Sequence, residues 1–254
     1  MIRLSTGARN MLAQGAGFAS IFNRGTIEIY NGTQPVTADS ASTGSVLLGI
    51  VSNASGAVTK ETRATGSITI TGGSVSVATL TVGGFNIIPD GAVPYNTSTT
   101  QTASDLCDAI NRNGVMQASV TGAVVTITPM PGAGAAYNGL VVTSTGSVVA
   151  TYANMASGAS PANGLILGQP ANGVVGKSAG QVWSFSGIAV GTAGWFRFVA
   201  SAVDTGAAIS AAPYLARMDG SVATSGADLN LSNISIAIGA PSTVDSFNVT
   251  VPAQ

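Results

Sequence analysis

Residues 190–200 read VGTAGWFRFVA. Two large aromatics, an arginine and a third aromatic follow one another in a chain built mostly of Ala, Gly, Ser, Thr and Val. No helical period fits the run, whereas strand alternation sorts it cleanly. Trp195 and Arg197 fall on one face, and Phe196 and Phe198 fall on the other. Two phenylalanines on one face of a strand predict a core, so Phe196 and Phe198 are the candidate core residues. The other face has two readings: a second layer covers it within the fold, or it meets a neighbouring subunit. Trp and Arg are frequent interface anchors, and charge is scarce elsewhere, so Trp195 and Arg197 are the candidate interface residues.

Composition sharpens that choice. The chain has 254 residues, 45% hydrophobic and only 7% charged, with a formal net charge of −1. Ordinary globular domains carry about 25% charged residues. High hydrophobicity with low net charge excludes disorder as the default state. A surface so poor in charge resists association weakly, which implies burial against copies of itself or other neighbours. Two Lys and seven Arg, scattered, form no basic stripe for nucleic acid. Gly, Ser, Thr or Asn interrupts every apolar run before membrane-spanning length. The first 22 residues lack the continuous apolar centre of a signal peptide and read as mature protein.

One cysteine and no histidine leave little chemistry. A lone Cys107 builds no disulfide framework and fits a reducing cytosol. Without His, the Ser-His-Asp and Cys-His mechanisms are excluded within this chain. The residues therefore offer no catalytic set, no cofactor site and no metal site, and the expectation is a protein that is not an enzyme. GAGAAYNG at 132–139 resembles a phosphate loop only superficially, because Tyr137 stands at the third glycine position and no helix pattern follows. Asp219, Asp228, Asn230 and Asn233 are oxygen ligands of the type calcium takes, but their spacing is not that of a calcium loop. Asp219-Gly220 reads instead as a tight turn.

Outward from the opening strand, the chain reads as one domain nested in another. Residues 1–25 carry a helical pattern that Ser5 or Thr6 could cap and that Gly15 and Gly17 end. TIEIYNGTQP and SVLLGIV follow as strands. Residues 53–65 contain Lys60, Glu61 and Arg63 and read as an exposed connection. From 66 the order is strand, strand, helix, hairpin, strand: Ile68 and Ile70, then Val75, Val77, Leu80 and Val82, alternate with Ser and Thr around a hairpin-like TGG. The helix near 102–113 starts at a capping-box-like Thr102 and Asp105 and places Leu106 and Ile110 on one core-facing side. A small-residue linker at 153–164 leads back into strands with turn signals about every 8–12 residues, as in a sandwich. The predicted class is mainly β: a β-sandwich or jelly-roll-like outer domain from 1–55 plus 160–254, with a small α+β domain inserted at 60–158.

The outer pieces GTIEIYNGTQPVTADSASTGSVLLGIV, TAGWFRFV, RMDGSVATSGADLNLSN and SFNVTVPAQ, in that order, resemble a family of tailed-bacteriophage virion proteins. The inserted part, through FNIIPDG, TASDLCDAINRNG and VTGAVVTITPMPGAGAAYNG, is similar to small domains recurrent in phage structural proteins. The resemblance covers roughly the two outer segments and supplies no catalytic residues. It implies a non-enzymatic structural subunit of the virion, assembled in the host cytoplasm, whose partners are copies of itself and other virion proteins. A tail-associated place (platform, baseplate or fibre attachment) is the first expectation, and a head decoration protein is the alternative. A host-surface module reading a glycan or receptor through the inserted domain is a further alternative.

Overall fold

A computed structural model describes residues 1–73, 76–209 and 215–250. The chain is mainly β and sandwich-like, with 42% strand and 12% helix. It divides into two compact units. The outer unit comprises Met1–Ala13, Gly17–Glu61 and the chain from Pro161 onward; the inserted unit comprises Thr62–Ser160 with Gln14–Ala16.

The outer unit begins with β1 (Arg3–Leu4), α1 (Thr6–Ala13), α2 (Phe18–Phe22), β2 (Thr26–Asn31) and β3 (Leu47–Asn53). The helical pattern at 1–25 is thus broken into two short helices, because Gly15 sits at φ +90°, where a helix cannot continue. Ser5 caps α1: its Oγ accepts the Ala8 N–H at 3.2 Å. Ala8, Met11, Ile21 and Phe22 turn inward and are buried.

The inserted unit contains β4 (Thr65–Gly72), β5 (Val77–Val82), β6 (Phe85–Asn86), α3 (Thr99–Asn111), β7 (Met116–Thr121), β8 (Val124–Pro129), a 3-10 turn at Gly134–Tyr137, β9 (Val142–Gly146) and β10 (Val149–Ala156). β4 and β5 do not form a hairpin. β4 lies inside a four-stranded sheet of order β10-β4-β8-β7, and β5 is the centre of a three-stranded sheet of order β6-β5-β9. Val75 of the expected strand lies outside the described residues. The helix cap is Ser98, whose Oγ accepts the Gln101 N–H at 3.1 Å. Thr102, expected at the helix start, lies inside α3 and donates back to the Ser98 carbonyl at 2.8 Å. Leu106 and Ile110 are fully buried among Ile68, Ile70, Val125 and Ile127.

The outer unit resumes with β11 (Val174–Gly176), β12 (Trp183–Ser186), β13 (Gly191–Val199), β14 (Arg217–Ala223), β15 (Leu229–Asn230), β16 (Ser235–Ile236), β17 (Pro241–Val244) and β18 (Asn248–Thr250). Its main sheet runs β1-β14-β13-β2-β3-β12-β17, with β15 on β14 and β16 on β13, while β11 pairs with β18. β3 makes the corner. Ile27, Glu28, Ile29 and Tyr30 of β2 pair with residues between Leu47 and Val51, whereas Ser52 and Asn53 pair with β12. A strand that passes from one partner to the next in this way lets a twisted sheet fold over its own core. Trp183 of β12 meets Phe198 of β13 edge-on at 6.3 Å, and Phe247 packs on Trp183, Phe196 and Phe198 at 5.5–6.1 Å.

Asp219-Gly220, read as a turn, lies in the middle of β14. Gly220 stands opposite Phe196 on β13, and a Cβ there would meet the Phe196 ring. Glycine is present because a neighbouring aromatic fills its space. The segment at 53–65 also differs from its reading: Glu61 is buried and accepts the Ser201 hydroxyl at 2.7 Å, and Lys60 donates to the Thr26 hydroxyl at 2.7 Å. The two connections to the insert run antiparallel, Thr59 bridging Ala162 in the outer unit and Thr62 bridging Ala159 in the inserted one.

Removing the Phe198 ring leaves a cavity between Phe22, Trp183 and Phe247. Phe198→Ala is expected to lower stability by about 3–5 kcal/mol, and Gly220→Ala by about 1–3 kcal/mol through overpacking. Denaturant midpoints read both.

Candidate functional site

The arginine of the opening stretch belongs to a row of charges across the sheet. In register, Glu28 on β2 faces Arg197 on β13, Arg197 faces Asp219 on β14, and Asp219 faces Arg3 on β1. Four adjacent strands thus present acid, base, acid, base in one lateral line. Directly opposed side chains of unlike charge favour one another in a sheet, so the line helps fix the register of all four strands. On the opposite face the same strands present Ile27, Phe198, Met218 and Leu4.

Arg197 Nε and Nη2 donate to the two Asp219 carboxylate oxygens at 2.8 and 2.7 Å, and both side chains are fully buried. Two residues along β14, Arg217 grips Asp204 in the same forked way, both contacts at 2.6 Å. The two arginines converge on one backbone atom. The Ser40 carbonyl accepts from Arg197 Nη2 at 3.0 Å and from Arg217 Nη1 at 3.4 Å. Arg217 also reaches the Ala207 carbonyl at 2.8 Å. Beside Ser40, the Asp39 carboxylate accepts from the Thr6 N–H and hydroxyl at 2.9 and 2.8 Å, and its backbone carbonyl accepts from Ile209. The loops 37–42 and 203–209 therefore form the cover of this face.

Trp195 completes the layer. A bulge at Gly194 shifts the register so that Trp195 lies opposite Tyr30. The rings stack at 4.4 Å and 11°, and the indole N–H donates to the Asn31 carbonyl at 3.0 Å. The Arg197 guanidinium lies 5.4 Å from the Trp195 ring centroid. The Tyr30 hydroxyl donates to Glu28 at 2.8 Å.

Burial shapes the electrostatics. It raises the Glu28 carboxyl above its usual range, and the Tyr30 hydrogen bond and the Lys60 charge offset only part of this. Burial lowers the Lys60 ammonium against the pull of Glu28 and Asp204. Burial, with the Glu28 charge, moves the Tyr30 phenol well upward. At Asp204 burial also acts upward, but the Arg217 hydrogen bonds, the Gly206 N–H and the charges of Arg217 and Arg197 outweigh it, so its carboxyl sits low.

Trp195 and Arg197 are both fully buried. That overturns their reading as interface residues: the face is covered from within the same chain, by the 37–42 and 203–209 loops. Phe196 and Phe198 are fully buried on the other face. Alternation revealed which residues share a face but not that both faces are enclosed.

The remaining sequence candidates are held in local structure. Asp228 accepts from the Ser221 N–H and hydroxyl and pairs with the Met1 amine, while Asn230 and Asn233 accept backbone N–H groups of their own turns. Among the described residues no group of three or more His, Cys, Asp or Glu could hold a metal ion. Residues 134–137 form a 3-10 turn that leads toward β9, not into the helix a phosphate loop requires. Cys107 is buried, burial pushes its thiol upward, and Asn111 donates to its sulfur at 3.5 Å.

The inserted unit carries a feature the sequence reading missed. An apolar hollow of about 270 Å³ is lined by Val82, Phe85, Ile87, Val115, Met116 and Leu140, with Ala136 and Tyr137 from the 3-10 turn. Phe85 stands at its edge and is 78% exposed. Two glycines with positive φ, Gly83 and Gly84, form the hairpin turn that puts it there. The VGGF pattern was the available signal.

No family model, curated protein or solved structure matches this chain.

Removing one member of a buried forked pair strands the other. Arg197→Ala is expected to lower stability by about 3–5 kcal/mol at neutral pH. Asp204→Asn should act similarly. A carboxyl held low when folded contributes stability above its ordinary value near 3.8, and that stability is lost as pH falls through the folded value. The deficit of Asp204→Asn is therefore expected in full at pH 7 and should shrink below about pH 4, as read by denaturation at a series of pH values.

Proposed function

We propose that this chain is a non-enzymatic structural subunit of a tailed-phage virion, used in several copies, with a tail-associated place in the platform, baseplate or fibre attachment. The motif order GTIEIYNGTQP, TAGWFRFV, RMDGSVATSG, SFNVTV supports the family. Residues 251–254 of the last motif lie outside the described residues.

One observation carries the reading. Of the nineteen charged side chains, only those of Arg9, Arg24, Asp90, Asp108, Arg112 and Asp245 belong to exposed residues. The others lie partly or wholly inside, many of them in the row and its neighbours. Meanwhile Val36, Phe85, Val190 and Ile238 are at least 70% exposed. A surface with few charges and several bare apolar side chains is suited to being covered by neighbours in an assembly. In this reading the partners are copies of the chain and other virion proteins, and the compartment is the particle, built in the host cytoplasm. The buried ion pairs serve the fold of a subunit, and none presents an acid or base to a substrate.

Immunogold labelling of purified particles with antibody to this chain tests the proposal. Label confined to the tail is the expected result. Label spread over the capsid lattice would replace the tail place with head decoration, and particles without label or peptide signal would overturn the virion reading.

A further inference from the structure

Phe85 is the most conspicuous unpaired group of the inserted unit. It is an exposed phenyl ring beside an empty apolar hollow, on a two-residue strand at the end of the β6-β5-β9 sheet. Every other Phe side chain that packs on an aromatic partner does so in the outer unit. The hollow is bounded by three segments: the β5–β6 hairpin, Val115 and Met116 after α3, and the 3-10 turn with Leu140. Its volume of about 270 Å³ exceeds that of the roughly 150 Å³ cavities that accept a benzene ring. No charged side chain lines it.

We infer that two copies of this chain pair about a two-fold axis through their inserted units, each placing its Phe85 ring in the other's hollow. This rests on the reading of the chain as a subunit used in several copies. Knob and hole lie side by side on one surface, which is the condition for a self-complementary two-fold contact.

The charges beside the hollow suit the same partner. Arg112 lies three residues before Val115, and Asp90 three residues after Ile87. The two are exposed and 3.6 Å apart. A surface that offers one cation and one anion meets its own two-fold copy with opposite signs facing, so no like-charge contact opposes approach. A small apolar ligand would make no use of either charge, nor of the exposed ring.

The contact is small. Each aromatic contributes about 150–250 Å², so two rings and the walls they cover amount to on the order of 600 Å². Stable complexes bury about 1,200–2,000 Å². The pairing is therefore weak between free chains and becomes effective where an assembly holds copies close together.

Sedimentation equilibrium of the whole chain from about 10 µM to about 1 mM spans the range of such weak contacts. The expected result is an average mass rising from 24.9 kDa toward twice that value. Phe85→Ser should weaken association at least tenfold, roughly the effect of losing an anchor residue. Ala136→Leu, which fills the hollow, should do the same. Phe85 and Ala136 are both exposed, and far-ultraviolet circular dichroism verifies that each variant is folded.

Association unchanged in both folded variants overturns the Phe85 pairing and leaves the several-copy reading standing. A wild-type chain that stays at 24.9 kDa throughout overturns the pairing as well, while particle labelling decides the virion reading separately. If that monomer shows Met116 methyl shifts when titrated with toluene, the hollow belongs to a small apolar ligand instead.

Discussion

The Ser40 carbonyl, shared by Arg197 and Arg217, is the point on which the outer unit turns. Each arginine already holds a carboxylate in a forked pair, and what remains of its donor capacity goes to this one backbone oxygen. The arrangement joins two central strands, β13 and β14, to a loop that has no regular structure of its own. The same loop caps α1 through Asp39 and anchors Ile209. The N-terminal segment, the 203–209 loop and the centre of the sheet are thereby tied through four residues of chain.

Buried ion pairs are not in themselves a source of large net stability, because desolvation opposes the attraction. Their effect here is on uniqueness. A one-residue slip of β13 against β14 would bring Arg197 to the face of Phe196 and leave two carboxylates unpaired, at a cost far above that of losing apolar contacts. The apolar row Ile27–Phe198–Met218–Leu4 tolerates exchanges of similar shape; the charged row on the reverse does not. One face supplies the burial, and the other specifies the register.

Much of this architecture was visible in the sequence, and the reasons for the rest are physical. Strand alternation marks Phe196 and Phe198 as sharing a face, and the helix period marks Leu106 and Ile110. Whether a face is covered depends on residues far along the chain. The covering segment TADSASTGS looks like any solvated loop, and its decisive atom is a backbone carbonyl that no side-chain pattern announces. Gly220 looks like a turn residue because its true reason, the Phe196 ring, comes from another strand. Lys60 and Glu61 look exposed because charge in a connection usually is. Their partners Thr26 and Ser201 carry no signal. Phe85 was overlooked because an isolated aromatic after two glycines reads as one more strand residue.

The nested arrangement has a consequence for synthesis. β1, β2 and β3 leave the ribosome first, but β13 and β14, which complete the charged row, end at Ala223. At about 5–20 residues per second, roughly 10–30 s separate the appearance of β3 from that of β14. The inserted unit emerges whole during that interval and contains all its own sheet partners. For that time Glu28 and Arg3 have no arginine or aspartate to face, and the outer strands present open edges in a crowded cell. The chain is then most exposed to mispairing with other nascent copies, and the late arrival of two arginines closes that period.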